Sequence, residues 1–376
     1  MRHTSRRTFV TTAASAVGAL VAGLPSGWTG GLYANDAPET RDMRFGVVAV
    51  TDCAPIITAH ERGYFRAFGI NSVISKEPSW AVVRDRLALG VNQATQMLIG
   101  MPFASTMRLP GSAMKPLVIP WLLNRNGQAI TVSHRLKAAG ATTPALIRPL
   151  ADAARASGEP LTFAMTFPTG THAMWIRYWL ASGGIHPDRH VNLIAIPPAQ
   201  MVASMKMDRM DGFCVGEPWN TRAVADHVGF TAMTTQQLWR DHPEKVCAFT
   251  EEFAEHNPRT VKAVLKALHL ASVDLDRMDE DRFGTVFSKR HANYPHQIYG
   301  AWWLTQFRRW GMVRSEPDYA GVPRRVLRSD LYLDAMRELG VETNVAEERT
   351  ITLFDGTFDG TEPGRYARSF PVNSIS

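Results

Sequence analysis

The sequence predicts an α/β protein of two lobes, and three observations predict it. Short β-rich runs alternate with helical ones at the spacing of βαβ units from residue 43 onward. The alternation stops over an alanine-rich stretch at 133–160 and restarts at Leu161. At 376 residues the chain is long enough for two domains and a sizeable buried core. Two α/β lobes joined by crossing strands, with a ligand cleft at the carboxyl ends of the strands, is the simplest architecture that fits.

Taken in order, residues 1–37 read as an export signal. Ser5-Arg6-Arg7-Thr8-Phe9 is a twin-arginine pattern, followed by an Ala/Val/Gly/Leu-rich stretch and small residues near Ala34 and Ala37. The apolar stretch is too short for a span of ~20 residues, and no cysteine precedes Cys53 to take a lipid. A soluble, freely diffusing periplasmic protein is expected.

Arg44–Val50 reads as a strand and Thr51–Pro55 as a loop in which Asp52 is a candidate helix N-cap. A helix follows over Ile56–Phe65, and Gly69 closes the unit. Asn71–Lys76 is a second strand, and Ser79 caps a helix through Leu89 that Gly90 ends. Residues 133–160, with His134, Arg135 and Lys137, are expected to be a surface helix and loop joining the halves.

In the second half, helix His172–Ser182 ends at Gly183-Gly184, and strand Val191–Ile196 is stopped by Pro197-Pro198. Helix Ala199–Asp208 and strand Gly212–Val215 follow, and from about residue 245 helices dominate, including Pro258–Met278 and Ile298–Trp310. The expected division is 1–37 signal, 43–133 plus 245–376 first lobe, and 134–244 second lobe.

Composition bounds the partners. A 45% hydrophobic, 20% charged chain is ordinary for a soluble globular protein. Of the net +6, Arg2, Arg6, Arg7 and Asp36 supply +2, leaving +4 spread without a dense basic block. That argues against nucleic acid and suits an anionic ligand. Cys53, Cys214 and Cys247 match no zinc spacing and read as small buried residues. No Gly-x-Ser-x-Gly, His-Glu-x-x-His, Walker or dinucleotide-binding pattern occurs, so no catalysis, metal or cofactor is expected. His186, His190 and His242 lie near acids in polar loops and are expected at the solvated surface.

Four residues at element ends are candidate ligand contacts. Gly170-Thr171-His172 sits at a strand–loop–helix junction, which aims backbone N–H groups and a positive helix end at one point. His172 can add a side-chain N–H there. Trp80 offers an indole N–H and a flat face for a planar anion. Gln128, after the Gly127 turn, can donate through its amide, and Lys245 supplies charge.

These stretches together resemble the periplasmic nitrate-binding proteins of ABC transporters, the group that also contains bicarbonate-binding receptors. The matching segments include Thr51-Asp-Cys-Ala-Pro55, Ser75-Lys-Glu-Pro-Ser-Trp80, Asn126-Gly-Gln-Ala-Ile-Thr131 and Phe167-Pro-Thr-Gly-Thr-His172. They continue with Gly216-Glu-Pro-Trp-Asn220 and Asp241-His-Pro-Glu-Lys-Val246, in an order spanning the mature chain. The resemblance implies a bilobal periplasmic binding protein fold of type II that closes over its ligand. In the nitrate-binding members a tryptophan and a glutamine from one lobe, a histidine from the other and a lysine near the hinge hold the anion. Those roles fall on Trp80, Gln128, His172 and Lys245. The bicarbonate-binding relatives carry an acid where Lys245 stands and recruit calcium, so the lysine implies nitrate or nitrite and no metal.

Gln93-Ala-Thr-Gln-Met-Leu98 departs from the pattern, which commonly has a histidine before the Met-Leu. The implied function is capture of nitrate or nitrite by a monomeric receptor and delivery to membrane permease subunits, without cofactor or nucleic acid. Two alternatives stay open: a nitrate-responsive sensor or interaction protein, and a receptor for bicarbonate or another small organic anion.

Overall fold

The computed structural model describes residues 37–278 and 284–375; the twin-arginine segment lies outside the described residues. Among these, ten strands form two five-stranded sheets. They are β1 Asp42–Val47, β2 Asn71–Lys76, β3 Ala94–Leu98, β4 Leu117–Leu122, β5 Gln128–Ser133, β6 Thr162–Met165, β7 Asn192–Ala195, β8 Gly212–Gly216, β9 Gly229–Thr234 and β10 Lys245–Thr250. A small hairpin, β11 Ile351–Leu353 and β12 Gly356–Phe358, lies apart.

The first sheet runs β2-β1-β3-β10-β4 and the second β7-β6-β8-β5-β9. The two share one plan. Three parallel strands (β1, β2, β3 in one, β6, β7, β8 in the other) are extended by an antiparallel strand and its neighbour. In each sheet the strand at the junction, β10 or β5, arrives directly after the chain has crossed from the other sheet. This is the bilobal fold the sequence predicts. β3, β4, β5, β8 and β10 are buried along their whole length, as strands covered on both faces must be.

Several elements fall where the pattern places them. β2 has the expected bounds, as does helix Pro258–Met278. The Ser79 hydroxyl accepts from the Val82 N–H at 3.3 Å and caps helix Trp80–Ala88, and Gly90 follows at φ +73°.

Other expectations are corrected. The division after residue 133 fails, because β5 pairs with β8 and β9 in the second sheet. The crossing therefore lies between Leu122 and Gln128. Residues 133–160 are no connector: Ser133 caps helix His134–Ala138, and helix Pro144–Ala156 buries Ile147 and Ala151 in the core of that half. Helices do dominate after residue 250, but the region opens with β10, the strand between β3 and β4. Asp52 caps nothing; it belongs to a short 3₁₀ turn, Thr51–Cys53, and is buried.

Cys214 and Cys247 are buried and Cys53 half-buried, all as free thiols. Among the described residues no helix is long and apolar enough to cross a membrane.

One hydrophobic core spans both sheets. It joins Leu98 and Phe103 of the first half to Phe163 and Trp175 of the second, with Trp302 and Trp303 from helix Gln297–Arg309 between them. Trp175 lies 5.4 Å from Trp302 and 5.8 Å from Trp303, ring centre to ring centre. The later chain also touches both halves, through a bridge from Leu327 to Ile119 and another from Leu353 to Trp239. The Tyr178 hydroxyl donates to Asp355 at 2.7 Å.

Glycine lets the halves approach. A Cβ on Gly100 would overlap the Thr169 carbonyl, and one on Gly170 would overlap the Leu98 side chain.

Candidate functional site

The carboxyl ends of β1 and β8, the amino ends of β5 and β10, and the amino ends of two helices meet between the sheets. Five of these six elements deliver polar side chains, and β8 ends in a glycine. The turn after β1 brings Asp52 and the start of helix Trp80–Ala88 brings Trp80. β5 opens with Gln128 and β10 with Lys245. Helix Thr171–Ser182 begins with Thr171 and His172, and β8 ends at Gly216. All six side chains named here are buried.

The Lys245 ammonium is the centre of the arrangement. It donates to Asp52 Oδ2 at 2.7 Å and to Glu244 Oε1, and it stands 5.4 Å from the Trp80 ring centre. Asp52 is held in turn by the Gln96 amide, whose own carbonyl oxygen accepts from the Val48 N–H at 2.9 Å. Glu244 Oε1 also accepts from the Thr171 hydroxyl at 2.8 Å, and His172 Nε2 lies 3.7 Å away. The other ring nitrogen of His172 pairs with the Thr166 hydroxyl, which fixes the ring.

Gly216 closes the group. A Cβ there would stand 3.1 Å from Asp52 Oδ2, 3.8 Å from Lys245 Nζ and 3.9 Å from His172 Nε2. Gln128 is the antiparallel partner of Gly216 in register. Directly opposed residues of an antiparallel pair face the same side of the sheet, so the Gln128 side chain faces the side on which these three groups lie. The Thr51 N–H donates to the Glu217 carbonyl at 2.8 Å, tying the turn after β1 to the loop after β8 across the cleft.

Three nitrogens in this region have no hydrogen-bond partner among the described residues: the Trp80 indole N–H, the Gln128 amide nitrogen and His172 Nε2, which is a donor when Nδ1 accepts from the Thr166 hydroxyl. Buried polar atoms are normally paired. Three such atoms around a buried ammonium match the demands of a small oxyanion, which offers acceptors in several directions and one negative charge.

Burial and charge set the protonation states. Burial drives the Glu244 carboxyl up to about 7, with Lys245 opposing and Asp52 assisting. Burial also raises Asp52 against the pull of Lys245. The two acids outweigh burial at Lys245 and keep its ammonium charged. His172 is held well below its ordinary value by burial and by Lys245, so the imidazole is neutral.

All four candidates lie between the sheets, buried rather than exposed. Lys245, Trp80 and His172 are linked by the distances above, and Gln128 by its strand register. Sequence reasoning missed two members. The sequence suggests Asp52 only as a cap, and Glu244 lies in the Asp241–Val246 run with no role evident from its neighbours. The available signal was an acid immediately before Lys245 and another directly after the first strand. His242, expected at the surface, is buried against Trp175 at 4.7 Å between ring centres and bonds to the Thr235 hydroxyl at 2.8 Å. Burial lowers it to about 3. His186 is also buried, packed against Trp310. The apolar neighbours, not the adjacent acids, decide both positions.

Two matched α/β sheets with a buried polar cluster between them have the architecture of a substrate-binding receptor of the periplasmic-binding-protein class. The NMT1-like family pattern matches residues 36–283, and the chain belongs to that family. It is 35% identical to the nitrate/nitrite binding protein NrtA of Synechococcus elongatus, over 93% of this chain and 90% of the relative. It is 32% identical to NrtA of a Nostoc species over the full length of both. The crystal structure of the periplasmic nitrate-binding protein NrtA from Synechocystis superposes with a TM-score of 0.83 at 33% identity, covering 89% of this chain and 100% of that one. The resemblance read from the sequence therefore holds over essentially the whole described chain.

Proposed function

We propose that this protein is the substrate-binding receptor of an ABC importer, capturing nitrate or nitrite outside the cytoplasmic membrane and handing it to permease subunits. The observation that carries the reading is Lys245, enclosed between the sheets with unpaired donors from Trp80, Gln128 and His172 around it. Full-length similarity to nitrate/nitrite binding proteins supports the ligand class.

Before the two carboxyls beside Lys245 are counted, the attractive terms are of the size required. An anion about 4 Å from an ammonium gains about 4 kcal/mol at an effective dielectric of about 20. N–H donors to a charged acceptor contribute roughly 1.5–3 kcal/mol each before desolvation. Micromolar affinity needs about 8 kcal/mol. The role is binding rather than catalysis, and the twin-arginine start is the proposed export route.

Calorimetric titration with nitrate, nitrite and bicarbonate, with and without calcium, tests the reading. Tight binding of nitrate or nitrite without calcium, abolished by Lys245→Glu, is the expected result. Unchanged nitrate binding in that variant refutes the site. Calcium-dependent bicarbonate binding in the unaltered protein refutes the ligand.

A further inference from the structure

The charge balance around Lys245 differs from that of a bare cation awaiting an anion. One ammonium faces two carboxylates, and all three groups are buried. The remaining titratable groups facing Glu244 do not offset the deficit. His172, from helix Thr171–Ser182, is neutral. Cys214, from β8, is held as a thiol by burial and by Glu244 itself. His242, from the segment that crosses back between the sheets, is neutral as well. With both acids ionised the group carries −1, and a bound anion makes it −2 with little water to screen it. Such an accumulation of like charge in a buried site is strongly disfavoured.

The hydrogen bonds distinguish the two acids. Both Asp52 oxygens are occupied, Oδ2 by Lys245 and Oδ1 by Gln96. Glu244 spends only Oε1, on Lys245 and the Thr171 hydroxyl, and its buried Oε2 has no partner among the described residues. A proton on that oxygen breaks no existing bond.

We propose that the site takes up its anion together with one proton, and that Glu244 carries that proton. The inference rests on the nitrate reading above. It makes Glu244 an affinity-determining residue beyond the four candidate contacts, acting through the charge balance of the pocket. Because linkage is reciprocal, an anion that raises the proton affinity of Glu244 is bound more tightly when that proton is present. In ligand-free protein at neutral pH the residue, standing at about 7, is divided between its two forms.

The test is calorimetric titration of the full chain with nitrate at about pH 6 and about pH 9, in buffers of differing ionisation heat. Above pH 8 the expected result is uptake approaching one proton per nitrate, with Kd rising about tenfold per pH unit. Below about pH 6 both effects fade. Glu244→Gln, which keeps the shape and the neutral charge of the protonated acid but does not ionise, is expected to bind nitrate with no proton uptake and a flat pH profile. Tight nitrate binding by the unaltered protein with no uptake and a constant Kd overturns this inference alone. Persistent proton uptake in Glu244→Gln also overturns it. Absence of nitrate binding at every pH overturns the nitrate reading, and the inference with it.

Discussion

Glu244→Gln also predicts a pH-dependent change in stability that needs no ligand. In the folded chain burial holds this carboxyl at about 7, whereas its ordinary value is 4.5. Below about pH 4.5 both folded and unfolded chains keep the proton, and the residue contributes no pH dependence. Between about pH 4.5 and 7 the unfolded chain has released it and the folded chain has not. Stability then falls with rising pH by about 1.4 kcal/mol per pH unit, or about 3 kcal/mol across the window. Above about pH 7 both states are ionised and the loss is constant. A glutamine does not titrate. The stability of Glu244→Gln relative to the unaltered protein should therefore rise by about 3 kcal/mol between about pH 4.5 and 7.5. Urea unfolding in nitrate-free buffer at these two pH values measures the difference directly. A gap that stays constant would refute the placement of a buried, proton-holding carboxyl beside Lys245.

Three further substitutions examine the approach of the halves, the pocket wall and the helix that carries Trp80. Gly100→Ala places a methyl against the Thr169 carbonyl, at a cost of about 1–3 kcal/mol; nitrate dissociation followed by stopped flow should accelerate, and an unchanged rate contradicts the close approach. Gly216→Leu fills the space beside Asp52, Lys245 and His172, so nitrate binding should vanish in calorimetry while the circular dichroism spectrum is retained. Ser79→Ala removes the cap bond to Val82 and should lower stability by about 1 kcal/mol in urea unfolding, with nitrate affinity weakened only through the position of Trp80.

Local signals in the sequence carried the fold far. Alternation placed β2 at Asn71–Lys76, and the Ser79 and Gly90 punctuation bounded the following helix, because cap and turn chemistry is local. The lobe division was less legible. Gln128–Ser133 reads as a strand in either sheet, and only its pairing with β8 and β9 decides which. β10 was hidden among helices for a similar reason: its six residues are buried throughout and show no period-two alternation. Of the site, the four candidate contacts, Trp80, Gln128, His172 and Lys245, lie in the segments that carry the resemblance. The electrostatic frame could not, since Asp52 and Lys245 stand 193 positions apart and meet only after both sheets have formed.

The indole-rich seam between the halves bears on how solute enters. Trp302 and Trp303 pack on Trp175, on a helix whose Gly300 also lies against Phe103. Swinging the two leaves wide apart would wet those rings, at roughly 1.5–3 kcal/mol for each large apolar side chain. Exposing the three indoles costs roughly 5–9 kcal/mol, so the sheets stay joined along this seam. An ion is then admitted at least cost by a movement that parts the mouth of the cleft while the seam stays dry.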